Sequence, residues 1–394
     1  MVSDFIYYTP TKVAFGKGSL IKTGSLAKEF GATKVLIHYG SHHAVKSGLV
    51  DQIAKNLEQE NIAYVKLGGV VPNPRLSLVK EGIELCKKEH VDFLLALGGG
   101  SVIDSCKAIG YGLFNGGDPW DFYCGKRKPT GCTPIGAVLT ISAAGSEMSD
   151  SSVITNENGW LKRGINYDFC RCRFAIEDPS LTLSLPQYQT MCGCTDIMMH
   201  TMERYFISGD TMALTDKIAE GLLRTVKDCA LSLMINPDDY DARSNVMWAS
   251  SLSHNGLTSK GNASPGDWAC HQIEHELGGL FDCAHGAGLA AIWPTWARYV
   301  YKANPARFAR FGHAVFDLCD SGDADRDALS TIGEMEKFYK TINMPINLKE
   351  LGVAPTDEQI EEMVTKCTFF GKRKIGSFMS LGHEEIKQIY ANAR

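Results

Sequence analysis

The sequence lacks the features that would place the protein in a membrane or on a nucleic acid. No uninterrupted apolar run approaches the ~20 residues that a transmembrane helix needs. The amino-terminal segment has no basic stretch followed by an apolar one, so we expect no secretory signal. The 40 Lys and Arg residues against 45 Asp and Glu residues give a net charge of −5, without the basic excess that nucleic acid binding needs. These absences favour a globular protein of the cytoplasm, with neither a membrane nor a nucleic acid as its partner.

The sequence also lacks the cysteine spacing of a structural zinc site. Its thirteen cysteines include the pairs Cys170 with Cys172 and Cys192 with Cys194, but one intervening residue is not the CxxC spacing of zinc ribbons. An odd count leaves at least one cysteine unpaired in a secreted protein, whereas a reducing cytosol keeps all of them as thiols. We therefore expect free cysteines and no thiolate metal site.

The first half of the chain alternates short apolar runs with amphipathic stretches. This alternation, from about residue 30 to 180, is typical of βαβ units and predicts a doubly wound α/β domain with a parallel sheet. The run Phe93–Leu97 (FLLAL) is continuously apolar, as strands of such a sheet are when both faces are covered. The predicted strands are Lys34–Tyr39, Ala63–Leu67, Phe93–Leu97, Pro134–Ile141 and Phe174–Ile176, and the helices between them include Ser47–Glu60 and Leu76–Glu89.

The second half of the chain follows the helical period of 3.6 residues, and the strand pattern ends at Pro186. Helices are predicted at Thr211–Met234, Ala242–Asn255, Asp267–Leu277, Pro305–Leu318, Ala328–Thr341 and Asp357–Thr368. A chain of 394 residues is long enough for two domains with separate cores. We therefore expect an α/β domain of residues 1–182 and an all-helical domain of residues 183–394.

Three glycines, Gly98–Gly100, follow the strand Phe93–Leu97 and open a predicted helix. Glycines let backbone amides approach an anion closely, and the amino terminus of a helix favours negative charge. The pattern predicts a phosphate cradle, with a bare tight turn as the alternative because the motif is not GxGxxG. Asp104 lies in the first turn of this helix, where a carboxylate complements the helix dipole.

Three of the eleven histidines lie within fifteen residues of one another. His271 and His275 are four residues apart in a segment without proline, so both rings project from one face of a helix. His285 follows the glycine pair Gly278–Gly279, which we expect to stop that helix and turn the chain back. Neutral imidazole is a favoured ligand of Zn²⁺ and Fe²⁺, so the cluster is a candidate metal site. The alternative is that these are ordinary core or surface histidines.

A second pair of metal-capable side chains lies upstream. Asp196 and His200 are also four residues apart, so a helix brings the carboxylate and the imidazole to one face. Two such helices and a fifth group on a turn predict a site for a divalent first-row metal. One of the five side chains is expected to be a catalytic neighbour rather than a ligand, and the spacing leaves open which one.

Motifs distributed over almost the whole chain carry a resemblance to a known family. They are YYTPTKVAFGKG near the amino terminus, followed by VPNPR, GGGSVID, GSE, DPSLTLSLP, TDIMMH, MWASSLSHNGL, IEHELGG and AHGAGLA. The chain resembles the iron-containing (group III) alcohol dehydrogenases, nearest the butanol dehydrogenase-like branch of NADPH-dependent aldehyde reductases. The resemblance implies a dehydroquinate synthase-like fold, in which an amino-terminal Rossmann-like domain with a parallel sheet precedes an all-helical, metal-binding catalytic domain.

The resemblance assigns roles to individual residues. The four that fall on the family's metal ligands are Asp196, His200, His271 and His285. His275 falls on a histidine that lies beside substrate and nicotinamide without binding the metal. The positions that match cofactor contacts are Gly98, Gly99, Gly100, Ser101 and Asp104 of the pyrophosphate loop, together with Asn73, Thr140 and Lys162.

The implied reaction is hydride transfer between a nicotinamide cofactor and a small primary alcohol or aldehyde such as butanol or butyraldehyde. The resemblance implies one divalent metal per subunit, and three imidazoles with one carboxylate suit Fe²⁺ or Zn²⁺ and, alternatively, Ni²⁺ or Co²⁺. His275 is expected to relay the proton, directly or through water. Because members of the family often form dimers, we expect a homodimer.

Two stretches depart from the family's pattern. Leu139–Glu147 reads LTISAAGSE where many members have a PTTAGTGSE-like segment, so the second cofactor loop is matched only in part. After the strand Lys34–Tyr39, NAD-preferring members have an aspartate, whereas this chain has GSHH at Gly40–His43. Gly40 would not repel the 2′-phosphate of NADP, and Ser41 or a following histidine could donate hydrogen bonds to it. We therefore expect NADP(H) to be preferred and NAD(H) to be possible.

Two other functions agree with parts of the pattern. Glycerol dehydrogenases and dehydroquinate synthase-like lyases share the dinucleotide loop but differ around the metal, and the motifs TDIMMH and IEHELGG favour the alcohol branch. A metal- and nucleotide-binding scaffold without turnover is the non-enzymatic alternative, because a fold does not guarantee activity. Oxidation of NADPH in the presence of butyraldehyde distinguishes these alternatives from an aldehyde reductase.

Overall fold

The chain forms two compact units, one of residues Tyr8–Leu185 and one that combines the residues up to Tyr7 with Pro186–Arg394. The structure is a computed structural model that describes residues 2–40 and 42–394, with the backbone alone for residues 42 and 43. We expected a boundary near residue 182. The boundary in the structure follows Leu185, and the amino-terminal segment belongs with the helices, where the Ser3 amide donates to the Gly261 carbonyl at 3.0 Å.

The unit of residues 8–185, the α/β unit, contains eight strands and six helices among its described residues. Its strands are β1 Lys12–Phe15, β2 Lys34–Tyr39, β3 Ala63–Leu67, β4 Phe93–Gly98, β5 Ile135–Leu139, β6 Ser151–Asn156, β7 Leu161–Asn166 and β8 Phe174–Glu177. Its helices are α1 Thr23–Glu29, α2 His42–Lys46, α3 Leu49–Gln59, α4 Leu76–Glu89, α5 Gly100–Asn115 and α6 Trp120–Tyr123.

Six of these strands form one parallel sheet in the order β1-β8-β5-β4-β2-β3. Every residue of β4, β5 and β8 is buried, which is why their sequences are continuously apolar rather than alternating. In the register of the sheet Gly98 pairs with Leu139, and Tyr39 pairs with Leu97. Because parallel strands end at the same edge, the segments that follow Tyr39, Gly98 and Leu139 lie side by side.

Strands β6 and β7 form a separate antiparallel hairpin, which the sequence did not predict. The hairpin is joined to the segment before α4, because the Thr155 amide donates to the Pro74 carbonyl at 2.8 Å. Its register pairs Thr155 with Lys162. The polar sequence of these strands lacks the clear alternation of a half-buried strand, so periodicity alone gives no signal.

The second unit, the helical unit, packs its helices around one extended apolar core. Its helices are α7 Gln187–Tyr205, α8 Ala213–Ile235, α9 Tyr240–His254, α10 Ala269–Phe281, α11 His285–Val300, α12 Pro305–Phe316, α13 Ala324–Thr341, α14 Asp357–Cys367 and α15 His383–Asn392. The fold class predicted from the sequence, a parallel α/β domain followed by a helical domain, is confirmed. No helix in the described part of the chain is both long and apolar enough to cross a bilayer.

One prediction about this unit is wrong. Gly278 and Gly279 do not stop the helix that carries His271, because α10 continues through both and ends at Phe281. The chain leaves the helix at Asp282, whose φ of 51° is left-handed. Glycine has a low intrinsic helix propensity, but Gly278 and Gly279 are buried, and packing overrides that propensity.

Candidate active site

Helix α7 carries the first pair of candidate ligands. It begins directly after Pro186 and includes Asp196 and His200 one turn apart, both buried. The His200 Nδ1 atom lies 3.4 Å from the Asp196 Oδ1 atom. The spacing of four residues therefore brings the two side chains to one face of the helix, as the sequence predicts.

Helices α10 and α11 bring the other imidazoles to the same carboxylate. His271 lies in the first turn of α10, and His285 is the first residue of α11. The Nε2 atoms of His271 and His285 each lie 3.7 Å from the Asp196 Oδ1 atom. The ring centroid of His271 is 4.6 Å from that of His200 and 5.4 Å from that of His285. Three helices thus converge on one carboxylate oxygen.

The converging atoms have the chemistry of a metal site. Among the described residues, Asp196 Oδ1, His200 Nδ1 and His271 Nε2 are buried without a hydrogen-bond partner. Buried polar atoms that lack a partner are rare in folded proteins, because leaving them unsatisfied costs about 1–3 kcal/mol each. Imidazole nitrogen and carboxylate oxygen are ligands of Zn²⁺ and Fe²⁺, so the residues fit a divalent ion that would satisfy all three atoms.

The ionisation of these groups reflects their mutual contact. Burial opposes the imidazolium form of His271, but the Asp196 and Glu203 carboxylates that face its two nitrogens outweigh burial and raise its pKa to about 9. Burial, together with neighbouring positive charge, lowers the pKa of His200 well below its usual value. Burial opposes ionisation of Asp196, but the surrounding imidazoles hold its pKa below the usual range. A proton held at His271 must leave when a metal binds there.

His275 occupies a different position from the four convergent side chains. It lies on α10 one turn after His271, and the two ring centroids are 6.5 Å apart. Its ring centroid is 6.0 Å from that of His285, and both side chains are partly accessible. Ligand-type atoms of Glu274, His275 and His285 also lie within 4.8 Å of one another. His275 is therefore at the margin of the buried cluster.

Several side chains around this cluster were not singled out from the sequence. The carboxylates Glu203 and Glu274 accept hydrogen bonds from the Nδ1 atoms of His271 and His285, respectively. The His254 ring lies against His200, with centroids 4.0 Å apart. Their types and spacing are ordinary for helix residues, so only the tertiary packing reveals them.

Trp268 and Arg204 form one wall beside the imidazoles. Trp268 has a left-handed φ of 62°, which is uncommon for an aromatic residue and typical of strained functional positions. Its ring centroid lies 5.4 Å from that of His271, and the Arg204 guanidinium lies 4.5 Å above it. Arg204 also donates to the His254 Nδ1 atom at 3.2 Å. The guanidinium thereby joins the tryptophan to the histidine that covers His200.

In the α/β unit, the glycine run joins β4 to α5 at the carboxyl edge of the sheet. A Cβ atom on Gly99 would lie 2.0 Å from Ile141, and one on Gly100 would lie 2.7 Å from Ala144. The Thr140 amide donates to the Gly98 carbonyl at 3.2 Å, so Thr140 and the run, which continues into Ser101, are adjacent. The glycines therefore permit two loops to meet at the start of α5, where a helix amino terminus favours phosphate.

Asp104 is bound within the protein rather than exposed at the helix terminus. Its carboxylate accepts from Ser146 Oγ at 2.6 Å and from the Val153 amide at 2.9 Å. Burial raises its pKa above the usual value. Asp104 thus connects α5 to the loop before β6 and to β6 itself, and its predicted contact with the cofactor stays a prediction.

Lys107 is a fully buried lysine that the sequence analysis did not single out. Its Nζ donates to the carbonyls of Ser146, Ser149 and Ser151 at 2.7–2.9 Å and contacts Ser146 Oγ at 3.0 Å. Burying an ammonium group is costly unless it is hydrogen-bonded on every side. Lys107 therefore holds the segment between residues 146 and 151 against α5.

The remaining predicted cofactor residues lie at two places in the α/β unit. Asn73 is buried with a left-handed φ of 54°, and it precedes Pro74, whose carbonyl accepts from the hairpin residue Thr155. Thr155 pairs with Lys162, so the hairpin links the segments of Asn73 and Lys162. Gly40 follows β2, and its predicted partner Ser41 lies outside the described residues.

Comparison with known proteins agrees with this architecture. Residues 10–179 match the family described as iron-containing alcohol dehydrogenase, and residues 190–394 match the carboxy-terminal part of the Fe-containing alcohol dehydrogenase family. The chain belongs to the iron-containing alcohol dehydrogenase family. It is an oxidoreductase of alcohols and aldehydes, of a family that uses NAD(P) and a divalent metal.

Particular relatives extend the match over the full chain. NADH-dependent butanol dehydrogenase A of Clostridium acetobutylicum is 38% identical over 388 residues, which cover 98% of each chain. NADPH-dependent aldehyde reductase YqhD of Escherichia coli is 30% identical over 397 residues, which cover 100% of each. The crystal structure of NADH-dependent butanol dehydrogenase A from Thermotoga maritima superposes with a TM-score of 0.95 at 38% identity and covers 100% of this chain and 99% of its own.

Proposed function

We propose that the protein interconverts small primary alcohols and their aldehydes, with butanol and butyraldehyde as a substrate pair. The names of its butanol dehydrogenase relatives support the choice of substrate. The observation that carries the proposal is the set of ligand atoms on Asp196, His200 and His271, which are buried and unpartnered among the described residues. Such a set is expected where a metal acts on a substrate oxygen.

The proposed metal ligands are Asp196, His200, His271 and His285, and Fe²⁺ or Zn²⁺ is the expected ion, with Ni²⁺ or Co²⁺ as alternatives. When bound, the metal supplies a Lewis acid that polarises a carbonyl oxygen or lowers the pKa of an alcohol. The chain's own contribution is a buried carboxylate and three imidazoles that three separate helices hold together. Burial also strengthens electrostatic interactions, because the local dielectric is lower than that of water.

We propose that His275 moves the proton of the reaction. Its ring lies beside the cluster and not among the atoms that converge on Asp196. Imidazole titrates near neutrality, so a ring that binds no metal can hold a proton and transfer it to a substrate oxygen directly or through water. The same helix, α10, would then serve both the metal and the proton.

The nicotinamide cofactor supplies or accepts the hydride. The proposed contacts with it are Gly40, Ser41, Asn73, Gly98, Gly99, Gly100, Ser101, Asp104, Thr140 and Lys162. Gly99 and Gly100 support this proposal, because they let the loop that contains Ile141 and Ala144 pack against the first turn of α5. The adjacent start of α5 adds the favourable end of a helix dipole.

We further propose that NADP(H) is preferred and that NAD(H) is also accepted. The support comes from Gly40, which replaces a residue that could reject the 2′-phosphate by charge. The relatives divide between the two cofactors: the butanol dehydrogenases at 34–38% identity are named NADH-dependent, whereas YqhD at 30% is named NADPH-dependent. Steady-state kinetics with both cofactors at one pH and ionic strength decides the preference, and a higher kcat/KM with NADH refutes it.

The ligand assignment is tested by replacing single ligands. Asp196→Ala and His271→Ala should each lose the metal and the turnover of butyraldehyde, because each removes one of four ligands. Elemental analysis of protein purified without chelator, together with activity after reconstitution, provides the measurement. The control is His383→Ala, an imidazole at the start of α15 that pairs with Glu361 and should leave the metal in place. Stoichiometric metal in active Asp196→Ala protein would refute the assignment.

The proposed location is the cytoplasm. All thirteen cysteines are free thiols in the structure, and a reducing compartment maintains that state. The homodimer that the resemblance implies stays a prediction, which sedimentation of the purified protein measures.

A further inference from the structure

His271 and His285 are held in the same way although they belong to different helices. Each presents its Nε2 atom to Asp196 Oδ1 at 3.7 Å. Each presents its Nδ1 atom to a buried carboxylate, that of Glu203 for His271 and that of Glu274 for His285. A carboxylate only accepts, so the Nδ1 atom of each ring must carry the hydrogen. Its Nε2 atom is then the nitrogen that can give a lone pair to a metal, once any proton there has left.

Glu203 fixes the backbone of its histidine as well as the ring. Its Oε1 atom accepts from the His271 amide at 3.0 Å and from the His271 Nδ1 atom at 3.2 Å. The amide is one of the first-turn groups of α10 that have no partner within the helix, and the residue before the helix, Trp268, provides no side-chain cap. Negative charge is also favourable at this end of a helix. One carboxylate from α7 therefore sets both the start of α10 and the direction of the His271 ring.

The Glu274 side chain lies against Gly288 of the neighbouring helix α11, where there is no side chain to displace it. A Cβ atom on Gly288 would lie 2.9 Å from Glu274 Cγ and 3.1 Å from Glu274 Oε1. A Cβ atom on Gly286 would lie 2.1 Å from the Cys192 carbonyl oxygen, so this glycine brings α11 against α7. Gly286 and Gly288 thus explain the two glycines of the AHGAGLA motif: one permits the helix contact and the other leaves room for the carboxylate.

We propose that Glu203 and Glu274 are positioning residues that fix the tautomer and orientation of His271 and His285 for metal binding. The inference rests on the proposed ligand set, to which it adds the groups behind two of the ligands. A carboxylate bound to the far nitrogen makes a ligand imidazole more basic and restricts its rotation. Each imidazole faces its glutamate through Nδ1 and Asp196 through Nε2, so each ring lies between two carboxylates.

The first test measures the affinity for Zn²⁺ by competition with a chromophoric chelator, using the full-length protein. Glu203→Gln and Glu274→Gln keep the side-chain size and remove the charge, and each should weaken Zn²⁺ binding by about 10–100-fold. The matched control is Glu220→Gln, because Glu220 is an equally buried glutamate that pairs with Arg310 and Tyr205 instead of an imidazole. The control should bind Zn²⁺ as the unchanged protein does.

The comparison with Asp196→Ala separates this inference from the ligand assignment. If Asp196→Ala loses Zn²⁺ while both glutamine variants bind it at full affinity, the ligand set stands and the positioning role is wrong. If Glu274→Gln loses Zn²⁺ as completely as Asp196→Ala does, Glu274 is a ligand and its positioning role is wrong. If Asp196→Ala keeps Zn²⁺ at full affinity, the proposed ligand set itself is wrong.

The second test observes the tautomers directly, and its main measurement uses the unchanged protein. Nitrogen-15 spectra of histidine-labelled, Zn²⁺-loaded protein distinguish a protonated Nδ1 from a protonated Nε2. His271 and His285 should both be protonated at Nδ1. Gly288→Ala, which intrudes on Glu274, should alter the His285 signal and leave the His271 signal in place. A protonated Nε2 on either ring overturns the inference for that ring.

Discussion

Replacing His275 should have a different effect from replacing any of the four proposed metal ligands. His275→Ala should keep its metal, because the ring lies outside the atoms that converge on Asp196. The same variant should lose about 10²–10⁴-fold in turnover or change its pH–rate profile, which is the usual cost of a lost general acid or base. Metal content and kcat against pH are the measurements, and loss of metal to the extent seen for His271→Ala would make His275 a ligand.

Gly40 has room for the side chain that would reverse the cofactor preference. Among the residues that the structure describes, a Cβ atom there would meet Val70 O at 3.5 Å and Val102 Cγ2 at 3.8 Å, which are ordinary contacts. The Gly40→Asp protein should therefore fold. Its new carboxylate should accept a hydrogen bond from the ribose 2′-hydroxyl of NAD and repel the 2′-phosphate of NADP. The expected result is a kcat/KM ratio that shifts from NADPH towards NADH. Gly40→Ala is the matched control without charge, and an equal shift in that variant would contradict the electrostatic account.

For single residues, the sequence predicts a role when the spacing of neighbouring residues indicates it. It does not predict a role that depends on contacts between distant parts of the chain. Asp196 and His200 are visible because a spacing of four places two ligand types on one helix face. Glu203 and Glu274 are hidden, because a glutamate in a helix ordinarily faces solvent and nothing in its neighbours marks it as buried. The ligand roles carried over from the family resemblance stay predictions until the metal is measured.

The strand β2 contains a buried histidine that couples the stability of the α/β unit to pH. His38 donates from Nδ1 to the Leu67 carbonyl and accepts at Nε2 from Ser105, both at 2.9 Å. Burial outweighs the bond to Leu67 and lowers its pKa from 6.5 to about 4. The unfolded chain therefore binds a proton at a higher pH than the folded one, so the stabilisation is complete above about pH 6.5 and is lost as the pH falls towards 4.

The expected effect is a decrease of about 2 kcal/mol in the free energy of unfolding between pH 7 and pH 5 from this residue alone. Urea unfolding at the two pH values measures it. His38→Gln can retain hydrogen bonds but has no proton to take up in this range, so its pH dependence should be smaller by that amount. Equal pH dependence in both proteins would show that His38 does not carry the effect.

The elements that the sequence predicts well are those with a strong period and clear ends. The strands Lys34–Tyr39 and Ala63–Leu67 and the helix Leu76–Glu89 have the same bounds in the structure. Helix α11 escaped prediction because it has Gly286 and Gly288 in its first turn and contains Pro294, and both residue types have a low helix propensity. Its face is nevertheless buried along almost its whole length, and that tertiary packing has no counterpart in the local sequence.

At the scale of the whole molecule, metal should stabilise one unit only. All four proposed ligands lie on α7, α10 and α11 of the helical unit. Zn²⁺ at a hundred times its dissociation constant adds about 2.7 kcal/mol to a state that binds it. Hydrogen exchange should therefore slow in these three helices and stay unchanged in β2, β4 and β5. Asp196→Ala protein should show no slowing, and equal slowing in both units would contradict the assignment of the site to the helical unit.

The division of the chain also has a consequence for the order in which a ribosome makes it. The α/β unit is one continuous stretch, so all its contacts become possible as soon as Leu185 has been synthesised. The segment before Tyr8 has partners much later in the chain, since the Ile6 carbonyl accepts from Lys260 and Ser3 binds Gly261. Domains generally fold during synthesis as their residues emerge. The backbone groups of Ser3 and Ile6 must therefore stay without these partners until Lys260 and Gly261 have been synthesised, long after the α/β unit is complete.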